Sequence, residues 1–381
     1  MHRFSLAPVP ELVFGNGRLS DLPACVTVLA GRARPVMVIA DPAMGSLGIA
    51  GRLARLLADE GHAPAFYDGF TGEPRSADID RAAARARETG AKAVIGLGGG
   101  TALDTAKLVA SCAVSAKPAE AYQFCEAALP ADPLPLIAVP TTAGTGAEVT
   151  RTSIFTNDLK QKVWAWGGGL KPRLAVLDPE LTVGVPPAVT AATGLDALVH
   201  AIEAATGRNR SEANDLYCHR AISLISGALE KAVQAPEDLD ARGSLLLGSC
   251  YAGIGIDNAG TALAHNISHA MAELAPVPHG RATGLAMLAT LDWVKEGDPD
   301  VFAAIAGAMA GGGDVAAAYE RLVRRSGIKV SLAGDGLDLA RPELLAERMA
   351  SPAHAPMRRN TVREVGDDDL LRLAERVYAL A

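Results

Sequence analysis

The sequence predicts an α/β N-terminal domain built on a parallel sheet, followed by an all-α C-terminal domain. Three observations carry this: strands and helices alternate through the first half, strand signals nearly vanish from the second, and glycine-containing turns directly follow short apolar runs. The chain has 381 residues, 49% of them hydrophobic. Single cores rarely grow much beyond ~250 residues, so two domains are expected.

The elements follow in order. PVMVIAD (Pro35 to Asp41) is a buried-strand run, and IAGRLARLLADEG (Ile49 to Gly61) has helical periodicity with Gly61 as its stop. APAFYDGF reads as a strand, DIDRAAARARETG as an alanine-rich helix ending at Gly90, and AKAVIGLGGG as a third strand running directly into glycines. PLIAVP (Pro135 to Pro140) and RLAVLDP (Arg173 to Pro179) add further strands. This alternation favours parallel strands joined by crossover helices.

Beyond about Val183 the texture changes. AVTAATGLDALVHAIEAAT, DLYCHRAISLISGALEKAV and RGSLLLGSCYAGIGIDNAGTALAHNISHAMAEL read as helices, and LLRLAERVYAL as a final amphipathic one. The connection containing Pro179, Gly184 and Pro186 places the boundary so that residues 1–182 form the first domain and 183–381 the second. A cleft between them is the expected reaction site.

A net charge of -7 excludes the extended basic field that a nucleic-acid backbone requires. Cys25, Cys112, Cys125, Cys218 and Cys250 are scattered in apolar context without CxxC spacing, as mostly buried small hydrophobes in a reducing compartment would be. No segment reaches ~18 uninterrupted apolar residues, and the N-terminus lacks a signal-like run. A soluble cytoplasmic protein that engages neither membrane nor nucleic acid is expected.

Gly98, Gly99, Gly100 and Thr101 follow a strand and lead into the helix ALDTAKLVASCAV, so bare backbone N–H groups and a helix N-terminus meet at one spot. Such a turn suits phosphate, though it is also a sound structural turn. Asp104 and Lys107 fall early in that helix, where they can reach a ligand or serve local capping and charge pairing. Thr141, Thr142 and Thr145, in PTTAGTGAE, gather hydroxyls on a second loop that can bind pyrophosphate or a nicotinamide amide, or cap its own backbone. Two such loops at the ends of sheet strands make the first domain a Rossmann-like nucleotide-binding candidate. Asp41 ends its strand where a carboxylate can accept from a ribose diol and disfavour a 2′-phosphate, which prefers NAD while leaving NADP possible; a purely local turn role is the alternative. Lys162 can approach ribose or phosphate, or simply be exposed.

The second domain carries metal-ligand chemistry. Asp196 and His200 lie one helical turn apart on one face, while His265 and His279 flank a proline-containing reversal, APVPHG. One carboxylate and three imidazoles suit iron or zinc. Hydrogen-bonded core histidines are the alternative for any one of them.

These segments together resemble the iron-containing, or group III, alcohol dehydrogenase family, which is related more distantly to glycerol dehydrogenase and dehydroquinate synthase. The likeness is carried by FGNG at Phe14 to Gly17, GGGTALDTAK at Gly98 to Lys107, PTTAGTGAEVT at Pro140 to Thr150, DPELTVGVPPAVTAATGLDALVHAIEA at Asp178 to Ala204, AGIGIDNAG at Ala252 to Gly260, and the histidine region through PHG. The resemblance implies a dehydroquinate synthase-like architecture, with metal held by Asp196, His200, His265 and His279, as Fe2+ with Zn2+ the alternative. It places His269 near the nicotinamide as a proton-relay residue outside the coordination shell. It further implies a pyrophosphate loop at Gly98 to Thr101, cofactor-proximal Asp104, Thr141, Thr142, Thr145 and Lys162, a ribose-proximal Asp41, and a homodimer. Ala147, Glu73, Asp257 and Ile256 depart from residues frequent in such proteins.

The function expected from this likeness is metal-assisted hydride transfer between NAD(H) and a small alcohol or aldehyde. A lyase or cyclase using NAD transiently, and a non-enzymatic nucleotide sensor, are the alternatives. Steady NADH accumulation with an alcohol separates the first from both.

Overall fold

A computed structural model describes residues 4–70 and 72–380. They fall into two compact units, one of residues 8–142 and 146–184, the other of residues 4–7, 143–145 and 185–380.

The first unit is built on a parallel sheet whose strands are β1 (Glu11–Phe14), β2 (Pro35–Ala40), β3 (Ala63–Tyr67), β4 (Ala93–Gly98), β5 (Leu136–Pro140) and β8 (Leu174–Leu177). Between β5 and β8 run β6 (Thr152–Thr156) and β7 (Lys162–Trp166), paired antiparallel with each other alone. The sheet order is β1-β8-β5-β4-β2-β3, with every pairing parallel. Helices α1 (Leu22–Ala30), α2 (Ala43–Ser46), α3 (Ile49–Asp59), α4 (Ser76–Glu88) and α5 (Gly100–Cys112) make up its helical layers.

The apolar runs explain the sheet. β4, β5 and β8 are buried along their whole length and β2 from Val36 onward, as parallel strands covered on both faces must be. Met37 and Ile39 join one core cluster while Val36 and Val38 join another, the period-2 signature of a strand with cores on both sides. Each such side chain contributes about 1.5–3 kcal/mol by burial.

Chain order reverses direction across the sheet between β2 and β4: β2 passes outward to β3, and β4 passes the other way to β5. The carboxyl ends of β2 and β4 therefore flank a switch point, where open α/β sheets place ligands. Register adds that Gly98 pairs with Pro140, so the glycine turn and the threonine loop leave adjacent strands at the same level.

The second unit is all-helical among its described residues: α6 (Pro187–Thr206), α7 (Glu212–Gln234), α8 (Leu239–Ala259), α9 (Leu263–Leu274), α10 (His279–Val294), α11 (Pro299–Ala308), α12 (Val315–Arg325), α13 (Pro342–Met349), α14 (Ala355–Asn360) and α15 (Asp367–Tyr378). α6 is buried on every side from Gly194 to Thr206, the mark of a central helix. Ser211, Asp238, Asp298 and Asp314 cap α7, α8, α11 and α12 through their side chains.

Two features depart from expectation. The hairpin β6–β7 and the short β1 escaped the sequence reading, because five-residue and four-residue strands carry too little periodicity to stand out. Cys112, Cys218 and Cys250 are buried as expected, but Cys125 is exposed, in a left-handed backbone conformation at φ 61°.

Candidate metal centre

α6 brings Asp196 and His200 to one face, four residues apart and both buried. α9 supplies His265, and the Ala275–Pro278 turn delivers His279 as the first residue of α10. Ligand atoms of Asp196, His265 and His279 all lie within 4.8 Å of one another. Asp196 Oδ1 stands 3.6 Å from His265 Nε2 and 3.7 Å from His279 Nε2. The His200 ring stacks on that of His265 with centroids 4.6 Å apart, and its Nδ1 faces the Gly144 carbonyl at 3.3 Å, leaving Nε2 as its remaining ligand atom.

A carboxylate the sequence reading missed sets this geometry. Glu203, one turn beyond His200 on α6, is buried and accepts hydrogen bonds from the backbone N–H of Ala262 (2.7 Å) and Ala264 (2.6 Å) and from His265 Nδ1 (2.7 Å). It thus caps the start of α9, which has no side-chain cap of its own. A carboxylate can only accept here, so His265 donates from Nδ1, and Nε2 is the nitrogen left to face a cation.

The donor set fits a divalent cation. Asp196 Oδ1 and His265 Nε2 are buried without a hydrogen-bond partner, a costly arrangement for two polar atoms unless a cation satisfies both. Burial alone would raise the Asp196 carboxyl, yet the surrounding His200, His279 and His265 rings hold it well below the usual carboxylate range. Burial opposes protonation of His265, but Glu203 and Asp196 overcome it and push the ring up to about 9; at His200 burial prevails, and the shift is downward. Glu203 and Asp196 thus favour positive charge at His265, whereas burial disfavours it at His200.

His269 stands beside this group, half-buried, with its ring centroid 5.4 Å from that of His279, 6.3 Å from His265 and 5.9 Å from His354. His354 was absent from the sequence reading; its Nε2 lies 2.8 Å from Glu273 Oε1.

In the sheet unit Asp41, the Gly98–Thr101 turn, Thr141 and Thr142 gather at the switch point. Gly98 adopts φ 149°, and a Cβ there would lie 2.7 Å from the Asp41 Cβ, so the turn touches the residue that ends β2. Gly99 precedes α5, Gly100 opens it, and Thr101 sits in its first turn with its carbonyl accepting from Thr105 Oγ1. Thr141 N donates to the Gly98 carbonyl at 2.9 Å, and Thr142 is next to Gly99. Thr145 is half-buried within the helical unit's residues 143–145. Asp41 Oδ1 accepts from Ala43 N at 2.9 Å, the local turn role. Asp104 is turned inward, both oxygens engaged by Lys107 and Ile154 N. Lys162 pairs with Glu73 at 2.7 Å.

No helix among the described residues is long and apolar enough to cross a membrane. The family model for iron-containing alcohol dehydrogenases matches residues 9–179, and that for the C-terminal part of the Fe-containing family matches residues 190–378. Probable alcohol dehydrogenase EutG of Escherichia coli (strain K12) is 38% identical over 260 residues, spanning 68% of this chain and 65% of that protein. Long-chain-alcohol dehydrogenase 1 of Geobacillus thermodenitrificans (strain NG80-2) is 34% identical across 84% of this chain and 83% of its own length. Sulfoacetaldehyde reductase from Bifidobacterium kashiwanohense, solved in complex with NAD+, superposes with a TM-score of 0.92 at 28% identity over 100% of both chains. Matched along nearly its whole length, the chain belongs to the iron-containing alcohol dehydrogenase family.

Proposed function

We propose that the chain is a metal-dependent alcohol dehydrogenase and aldehyde reductase, passing hydride between NAD(H) and a small alcohol or its carbonyl counterpart. The observation that carries this is the convergence of Asp196, His265 and His279, with two buried ligand atoms that lack a hydrogen-bond partner. His200 completes the ligand set through Nε2. When bound, the cation, Fe2+ with Zn2+ the alternative, supplies a Lewis acid for the substrate oxygen, and NAD supplies the hydride acceptor.

The protein's own groups do the rest. Residues 1–182 serve the cofactor and 183–381 the metal. Gly98, Gly99, Gly100 and Thr101 receive the pyrophosphate on backbone N–H groups at the head of α5, aided by Thr141, Thr142 and Thr145. Asp41 takes the ribose diol and disfavours NADP, and Lys162 borders the same ligand. His269 carries the proton exchanged with the substrate hydroxyl toward solvent. A cytoplasmic homodimer is the assembly this reading takes from the family.

The test is oxidation of NADH and NADPH with a panel of aldehydes, including anionic ones such as sulfoacetaldehyde, using chelated, iron-loaded and zinc-loaded protein. Turnover that requires metal and favours NADH is expected. No turnover with any metal across the panel overturns the proposal, and an unchanged rate and pH profile in metal-loaded His269→Ala removes the relay role.

A further inference from the structure

Lys107 is completely enclosed, with 0% of its surface exposed. An ammonium is stable there only if its donors are used, and three acceptors surround it: Asp104 Oδ1 at 3.0 Å, Thr150 Oγ1 at 2.9 Å and the Thr152 carbonyl at 2.6 Å. Thr150 and Thr152 belong not to α5 but to β6 and its approach, Thr152 being the first residue of that strand. Asp104 makes the return connection, its Oδ2 accepting from Ile154 N at 3.0 Å and its carbonyl from Ser153 Oγ at 2.9 Å.

These bonds join two segments that begin at the switch point. α5 starts directly from the glycine turn, and the stretch Thr150–Ile154 ends the excursion that starts at Thr141. Their other ends are already adjacent, through Thr141 N and the Gly98 carbonyl. Leu103, Ala138 and Ala147 form a small buried cluster between them. The buried Glu148 carboxyl, whose Oε1 has no hydrogen-bond partner, feels the Lys107 charge, so loss of that charge leaves acidic groups uncompensated.

We propose that Lys107, with Asp104, is a positioning pair for dinucleotide binding: it clamps α5 to the β6 entry strand and so fixes the glycine turn against Thr141 and Thr142. The phosphate-facing donors are then set before the ligand arrives, which removes an ordering cost from binding. Asp104 acts in this arrangement through Lys107 rather than by touching the cofactor. The inference rests on the proposed NAD site at Gly98 to Thr101.

The test is calorimetric binding of NAD and ADP-ribose to wild type and Lys107→Met, amide hydrogen exchange over residues 98–112 and 141–156, and steady-state kinetics. Lys107→Met is expected to raise both dissociation constants at least tenfold and to speed exchange across both segments, with protection restored at saturating NAD. KM for NAD rises in proportion while kcat stays within about threefold, a split that general destabilisation does not produce. Should Lys107→Met fail to fold, Thr150→Val deletes one acceptor isosterically and is expected to raise the NAD dissociation constant at least threefold. Wild-type affinity in whichever variant folds, or unchanged exchange, overturns the clamp. Failure of wild type itself to bind NAD overturns the site reading beneath it.

Discussion

Glu203 Oε2 accepts a 2.7 Å hydrogen bond from His265 Nδ1, and the same carboxylate caps α9 through Ala262 N and Ala264 N. One side chain on α6 thus fixes both where α9 begins and which nitrogen His265 offers. Glu203→Gln keeps the shape but turns an NH2 group toward a cluster that consists only of donors. Metal affinity is expected to fall about 10–100-fold, the usual effect of removing such a carboxylate. Unfolding stability is expected to fall by about 1–3 kcal/mol, because a buried donor loses its acceptor. Metal titration against a competing chelator, alongside urea unfolding of the chelated proteins, measures the two effects separately.

Metal removal should be felt as stability. Asp196 Oδ1 and His265 Nε2 are buried without a hydrogen-bond partner, so a cation that satisfies both and binds the folded state stabilises it by mass action. At a hundredfold excess over Kd the gain is about 2.7 kcal/mol, equivalent to a Tm shift of about 3 °C for a chain of this length unfolding as one. Chelation is expected to lower the wild-type Tm by that amount and to leave Asp196→Ala unmoved. Equal shifts in both proteins would mean that the cation acts elsewhere.

Gly280 follows His279 directly, and a Cβ there would stand 2.4 Å from the Ala192 carbonyl oxygen and 3.3 Å from the Asp196 Cβ. α10 can approach α6 this closely only because position 280 lacks a side chain. Gly280→Ala must push α10 outward and carry His279 away from Asp196. The expected result is a stability loss of about 1–3 kcal/mol with metal affinity at least tenfold weaker, read by thermal unfolding and metal titration. Wild-type metal affinity in a folded Gly280→Ala protein would show that α10 has slack.

The difference between Glu203 and Asp196 explains what the sequence made legible. Asp196 and His200 announce themselves through local spacing, because a helix turns an i,i+4 relation into a shared face. Glu203 lies on the same helix, yet its role depends on α9 starting beside it from more than fifty residues away, and no local pattern encodes that. Gly280 was similarly silent, since its importance comes from the Ala192 carbonyl opposite. The parallel sheet was readable because its buried strands are continuous apolar runs, whereas β6 and β7 bury only alternate residues over five positions each. Asp104 and Lys107 were visible as an early-helix charge pair, but their grip on Thr150, Thr152 and Ile154 required the fold.

Glu148 gives the sheet unit a pH dependence of its own. Burial pushes its carboxyl up to about 7 from an ordinary 4.5, against the opposing effects of a backbone hydrogen bond and Lys107. Below pH 4.5 folded and unfolded chains both hold this proton; between 4.5 and 7 only the folded chain does; above 7 neither does. The folded state binds more protons in that window, so this group's contribution to stability falls as pH rises through it, by about 3 kcal/mol in total. Glu148→Gln removes the slope. In chelator and in a Trp293→Phe background, which silences the one tryptophan of the helical unit, fluorescence of Trp164 and Trp166 follows unfolding of the unit that contains Glu148. The variant is expected to gain stability relative to wild type from pH 5 to pH 8, and parallel stability curves would show that Glu148 is ionised in the folded protein throughout.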